Sequence, residues 1–133
     1  MKIADNTPIL VGAGQATWRE ADAGRTPVDA LYTAASAAID DVGVARLAAA
    51  IDALVMVRFI ADTTPGVGAL FPRNPGGALA TRLGVGNATV FQGTIGGNTP
   101  QYLVNHFADA LARGAHDVVL LSGAELLSTL FSV

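Results

Sequence analysis

The stretch GTIGGNTPQ, residues 93–101, holds the residues whose types and spacing best suit chemistry. Gly96 and Gly97 precede Asn98, Thr99 and Pro100, and the longest amphipathic run of the chain follows. Thr99 reads as an N-cap and Pro100 as the first helical residue. A helix starting there points free N–H groups and its positive dipole end back towards the glycines. Such an end attracts an anion, or an oxygen that becomes anionic during a reaction. A cysteine at that point would ionise readily and act as a nucleophile, but the chain contains none. The glycines supply backbone donors only. A Gly-Gly pair equally suits a sharp strand-to-helix turn with no ligand, and the residues alone leave both readings open.

Glu125 is the second candidate. It follows the apolar run DVVLLSGAE, and ligands of α/β proteins gather at the C-terminal ends of strands. It can bind substrate there, or it can cap the next segment. The two histidines, His106 and His116, have no acidic or cysteine cluster at ligand spacing, so no metal site is expected. Ser122 before Gly123 is not a nucleophile elbow. The segment VGAGQAT, residues 11–17, supplies Gly12 and Gly14 of a dinucleotide fingerprint. Thr17 stands in place of the third glycine, and about a dozen residues separate it from the next helix, which argues for a tight turn after a strand. Trp18 and Arg19 read as surface or interface residues, and Asp40 and Asp41 as solvated.

The elements that would position these groups follow from periodicity. PILVGAG, residues 8–14, reads as a buried strand. Thr26-Pro27-Val28-Asp29 starts a helix with a capping box, Leu31, Ala34, Ala35, Ala38 and Val42 form its apolar stripe, and Gly43 stops it. IDALVMV, residues 51–57, is the second strand. Residues 61–75, with three prolines, read as a long loop. A helix over 76–83 ends at Gly84, and ATVFQ, from Ala88 at its start to Gln92 at its end, is the third strand. The helix over 99–113 ends at Gly114 and is apolar on enough of its surface to be buried on most sides. Residues 117–125 form the fourth strand and its turn. Strands two and four are continuous apolar runs, as parallel strands buried on both faces are. The alternation predicts an α/β fold.

Composition agrees with a chain that hides apolar surface against something else. Of 133 residues, 51% are hydrophobic and 14% charged, with mean hydropathy +0.45. Charged residues make up about 25% of an ordinary soluble domain. No run is long enough to span a membrane, and the N-terminus lacks the features of a signal peptide, so a cytoplasmic location is expected. A net charge of −3 without a basic patch argues against nucleic acid. The apolar ending LLSTLFSV suggests a chain that stops inside a larger architecture.

TPILVGAGQATWRE, AAIDALVMVR and TIGGNTPQYLVNHFADALARGAHDVVLLSGAE together resemble the N-terminal part of the thiolase superfamily. The nearest branch is that of the sterol-carrier-protein-type and acetyl-CoA acetyltransferase-like thiolases. The most specific block is Gly114, Asp117, Val118, Val119 and, at its end, Gly123 and Glu125. The resemblance implies an acyltransferase family of lipid metabolism that handles coenzyme A thioesters as substrate or ligand, without a covalently bound cofactor. It implies a half domain of mainly parallel strands in the order 3-2-1-4, with helices on both faces. Residues 1–133 would then be a partial N-terminal domain, with the last strand, the loop domain and the C-terminal half absent. The family's nucleophilic cysteine falls on Gly97, give or take one position, leaving a backbone donor there. Gly96, Asn98, Thr99 and Glu125 would bind substrate. This departure closes the covalent acyl-enzyme route, and this chain alone should be inactive as a thiolase. The complete protein would carry acyl transfer or carbon–carbon bond chemistry. The alternatives are a non-catalytic acyl-CoA-binding or assembly subunit, working with a second subunit, and a cysteine-independent aldolase on CoA-linked substrates. The family also implies a homodimer through the strand at residues 88–92.

Overall fold

Thr26 and Asp29 close the first helix as the sequence predicts. In a computed structural model, which describes residues 2–132, α1 runs over Pro27–Val42. The Asp29 N–H donates to the Thr26 hydroxyl at 3.2 Å, and the Thr26 N–H donates back to Asp29 Oδ2 at 2.8 Å. Gly43 ends the helix in the left-handed region, φ 69°. A short α2, Leu47–Ala50, leads into β1, Ala53–Met56. The region after β1 contains two single 3₁₀ turns, Ala61–Thr63 and Gly68–Leu70. Asn74 then caps α3, Pro75–Leu83, with Pro75 in the first turn and Gly84 at its end. β2, Thr89–Gln92, α4, Thr99–Ala112, β3, Val119–Ser122, and a short α5, Leu127–Leu130, complete the chain.

The sheet is all-parallel and three-stranded, in the order β2-β1-β3. The α/β reading holds, and the expected order 3-2-1-4 holds in part: the third expected strand lies beside the second and the fourth ends the sheet, but the first is missing between them. Residues 8–14 form no strand, and the segment at 53–56 pairs directly with 119–122. The early segment instead lies across α1, tied by the Ala13 N–H donating to Asp41 Oδ2 at 3.0 Å. A Cβ on Gly14 would come within 2.3 Å of the Ala34 carbonyl oxygen, so the approach to α1 needs glycine. Leu10 remains 89% exposed. The apolar run therefore reports a surface segment here, not a buried strand.

All four residues of β1 are buried, as expected for a central strand covered on both faces. Leu54 and Met56 face a core of Leu31, Ala35, Phe59 and Leu79, on the side of α1 and α3. Ala53 and Val55 face Leu103, Phe107 and Ala110 of α4. β3 stands at a sheet edge, as the expected order has it, but is not buried on both faces: among its residues only Leu120 is buried. The helix α4 also buries one face rather than most of its surface. Tyr102 and Val104 stay 63% and 49% exposed, because no layer of the described residues lies beyond them.

Candidate functional site

Parallel strands bring all their C-terminal ends to one side, and the loops after β1, β2 and β3 meet there. They line an open cavity of about 450 Å³. Val57, Arg58 and Ile60 come from the loop after β1, and Gly96, Gly97, Pro100 and Val104 from the turn and first helical residues of α4. Leu121 and Ser122 at the end of β3, with Gly123, Ala124 and Glu125 after it, complete the wall. The lining is mostly apolar, with backbone donors at one end and a carboxyl group in the wall.

The start of α4 differs in detail from the sequence reading. Asn98, not Thr99, is the N-cap, and it makes no side-chain cap bond. Pro100 sits one residue further into the first turn. Thr99 is buried, with its hydroxyl 3.4 Å from that of Thr94, so it braces the turn. Asn98 and Thr99 do not line the cavity, whereas Gly96 and Gly97 do. The N–H groups of Gly97 and Asn98 take no part in the backbone turn bonds, which begin at Thr99 N–H to Gly96 carbonyl. Gly97 is the open position: an added Cβ there would meet nothing within 4 Å. At Gly96 it would press on Asn98 Oδ1 and Thr99 Oγ1, at 3.1 Å each. Of the two glycines, Gly97 is the one with room for a side chain.

Glu125 lies in the same wall. Its carboxylate accepts from the Ile60 N–H and from that of Ala61, and so holds the loop after β1. Burial nevertheless pushes its pKa above the usual carboxylate value, against those two hydrogen bonds, and the Asp62 charge adds to the rise. Arg58 is committed to Asp62, with Nε at 3.0 Å from both carboxylate oxygens. The Ser122 hydroxyl oxygen is buried and has no hydrogen-bond partner among the described residues. Sequence reasoning singled out Ser122 only to reject a hydrolase elbow; its orphaned oxygen depends on packing against β1 and leaves no local signal.

The remaining candidates lie elsewhere. His106 is exposed and stacks on Tyr102. His116 is 3.4 Å from Asp52 Oδ1 and packs against Phe91 and Phe107. Among the described residues no group of three or more His, Cys, Asp or Glu side chains could hold a metal. Gly12 and Gly14 press on α1 rather than cradling a ligand. Trp18 carries the Arg25 guanidinium over its ring at 4.5 Å. Asp40 is exposed, while Asp41 makes the bond to Ala13 described above. Among the described residues no helix is long and apolar enough to cross a membrane.

Neither the protein-family models nor the curated proteins contain a match to the sequence. Among solved structures, the chain matches the crystal structure of a monomeric SCP2-thiolase like protein type 1 from Mycobacterium smegmatis, with 31% identity and a TM-score of 0.69. The chain has the fold of an SCP2-thiolase-like protein. The match covers 89% of this chain. The thiolase-like chain spans about a quarter of the length of that relative, 23%. The thiolase resemblance drawn from the sequence therefore holds at the level of the fold, with the strand order holding in part as above.

Proposed function

We propose that this thiolase-like chain handles acyl-CoA thioesters, with the thioester carbonyl oxygen at the start of α4 and the acyl group along Val57, Ile60, Val104 and Leu121. The observation that carries the reading is Gly97, whose backbone opens onto the cavity with no side chain in the way. Free N–H groups at a helix start stabilise an oxygen that gains negative charge. The apolar lining suits an acyl chain, and the thioester's sulfur side would extend towards solvent. No cysteine is present to form an acyl-enzyme, so the chain alone performs no thiolysis. In the complete protein the site would serve acyl transfer or carbon–carbon bond chemistry of the acetyl-CoA acetyltransferase type, in a cytoplasmic setting.

Titration of the chain with butyryl-CoA tests this. Saturable binding that is lost in Gly97→Trp, with binding of CoA itself much weaker, supports the reading. Equal binding by both chains, or none by either, refutes it.

The missing nucleophile favours a second reading, in which the complete protein is a cysteine-independent aldolase on CoA-linked substrates or a non-catalytic acyl-CoA-binding or assembly subunit. Product release from a β-hydroxyacyl-CoA separates the aldolase from the binding subunit. A homodimer through residues 88–92 is supported by the outer edge of β2, which carries no strand partner among the described residues. The relative's description as monomeric weighs against it, and sedimentation of the chain against a Thr89→Lys variant, at an exposed position of the same strand, tests it.

A further inference from the structure

The cavity contains two ionisable side chains, Arg58 and Glu125. Arg58 cannot accept a proton, being always charged and paired with Asp62. Glu125 is thus the one lining group able to act as a base near neutral pH. It shares the cavity with the Gly97 backbone, where a carbonyl oxygen would be held. We propose that Glu125 accepts and returns the α-proton of an acyl thioester bound in this cavity. The proposal rests on the thioester reading above and gives that site a chemical step.

The step balances without any further reagent. The α-carbon's C–H bond breaks and its proton passes to a carboxylate oxygen of Glu125. The bonding pair becomes the carbon–carbon double bond of an enolate, and the charge moves to the thioester oxygen at the start of α4. The reverse transfer restores the thioester. Two features prepare Glu125 for this. The Ile60 and Ala61 N–H groups fix the carboxylate in place while occupying only part of its acceptor capacity. Partial desolvation disfavours its charged form, although the side chain keeps contact with solvent, which makes it a stronger base than a carboxylate at the ordinary pKa. Of the charged groups around it, Asp62 adds to the rise in its pKa, and Arg58 is held by Asp62.

Butyryl-CoA in deuterated water is the probe, because it has α-protons and no group that can be cleaved. The chain should exchange the α-protons for deuterium, read by proton NMR. Glu125→Gln keeps an acceptor for the Ile60 N–H, and its exchange rate per bound butyryl-CoA, at saturation, should fall by about 100-fold or more. Glu125→Asp should recover part of the rate. The exchange rate of the parent should rise with pH through a midpoint above the ordinary carboxylate range. Binding without exchange in the parent overturns the proposal and leaves the thioester-binding reading standing. Equal exchange in Glu125→Gln, at unchanged melting temperature, also overturns it. Absence of binding removes both.

Discussion

Gly97→Cys places a thiol at the one position of the α4 turn that has room for it. The φ of Gly97 is not positive, and a Cβ there meets nothing within 4 Å. The native chain has no cysteine, so every reaction of the variant with a thiol reagent reports this site. An ordinary thiol, with a pKa of about 8.5, is only about 3% thiolate at neutral pH. A helix start lowers such values to about 7 in favourable cases, which raises the thiolate about 16-fold. The less basic thiolate is a poorer nucleophile by about 4- to 5-fold. The net gain in alkylation rate at neutral pH is therefore about 3- to 4-fold, so the rate alone is a weak readout. The midpoint of the rate against pH is the strong one. The apolar lining and Glu125 oppose the shift. Iodoacetamide alkylation followed by intact mass, compared with Gly86→Cys in the open turn before β2, gives both midpoints. The Gly97→Cys midpoint should lie about one unit or more below the control. A midpoint at or above the control refutes the claim that free N–H groups at α4 face an accessible cavity.

Other outcomes follow from the scaffold. Leu54→Ala, in the fully buried central strand, should cost about 2–5 kcal/mol in chemical denaturation. Asp29 is held at about pKa 2, from 3.8, first by the Thr26 hydroxyl, then by Arg82 and the Thr26 N–H. A lowered carboxylate stabilises the fold above its ordinary value, and that contribution is lost as pH falls from 3.8 through about 2. With a third of the Asp29 side chain exposed, screening reduces it to about 1 kcal/mol, and Asp29→Asn should flatten the acid limb of stability against pH. Glu125 has the opposite sign: its raised pKa makes ionisation unfavourable to folding as pH rises above 4.5. Glu125→Gln should therefore melt no lower than the parent at neutral pH. Gly14→Val should detach residues 8–14 from α1, seen as faster proteolysis there with the sheet intact.

The sequence made the local devices legible, because each is written in a few adjacent residues. Thr26, Pro27, Asp29 and Gly43 mark both ends of α1, and the apolar run of β1 matches its burial on both faces. What failed depends on distant partners. Residues 8–14 have the composition of a strand, but whether they join the ladder is decided at β3, more than 100 residues later, and β1 pairs with β3 directly. Thr99 looked like a cap because threonine followed by proline usually is one. Its packing beside Thr94 uses its hydroxyl inside the turn instead. Gly97 is legible as a candidate from the helix start that follows it, and Glu125 from its position after a strand. The pull of burial on Glu125, and the orphaned Ser122 oxygen beside it, arise only when the loops after all three strands converge.

The pairing of β1 has a consequence for synthesis. Its Ala53 meets Thr89 on one side and Val119 on the other, partners 36 and 66 residues downstream. Such distant closures assemble slowly. A nascent chain emerging from the ribosome therefore presents the greasy Ala53–Met56 tetrapeptide unprotected until Val119–Ser122 has been made, an interval in which chaperone capture competes with self-association.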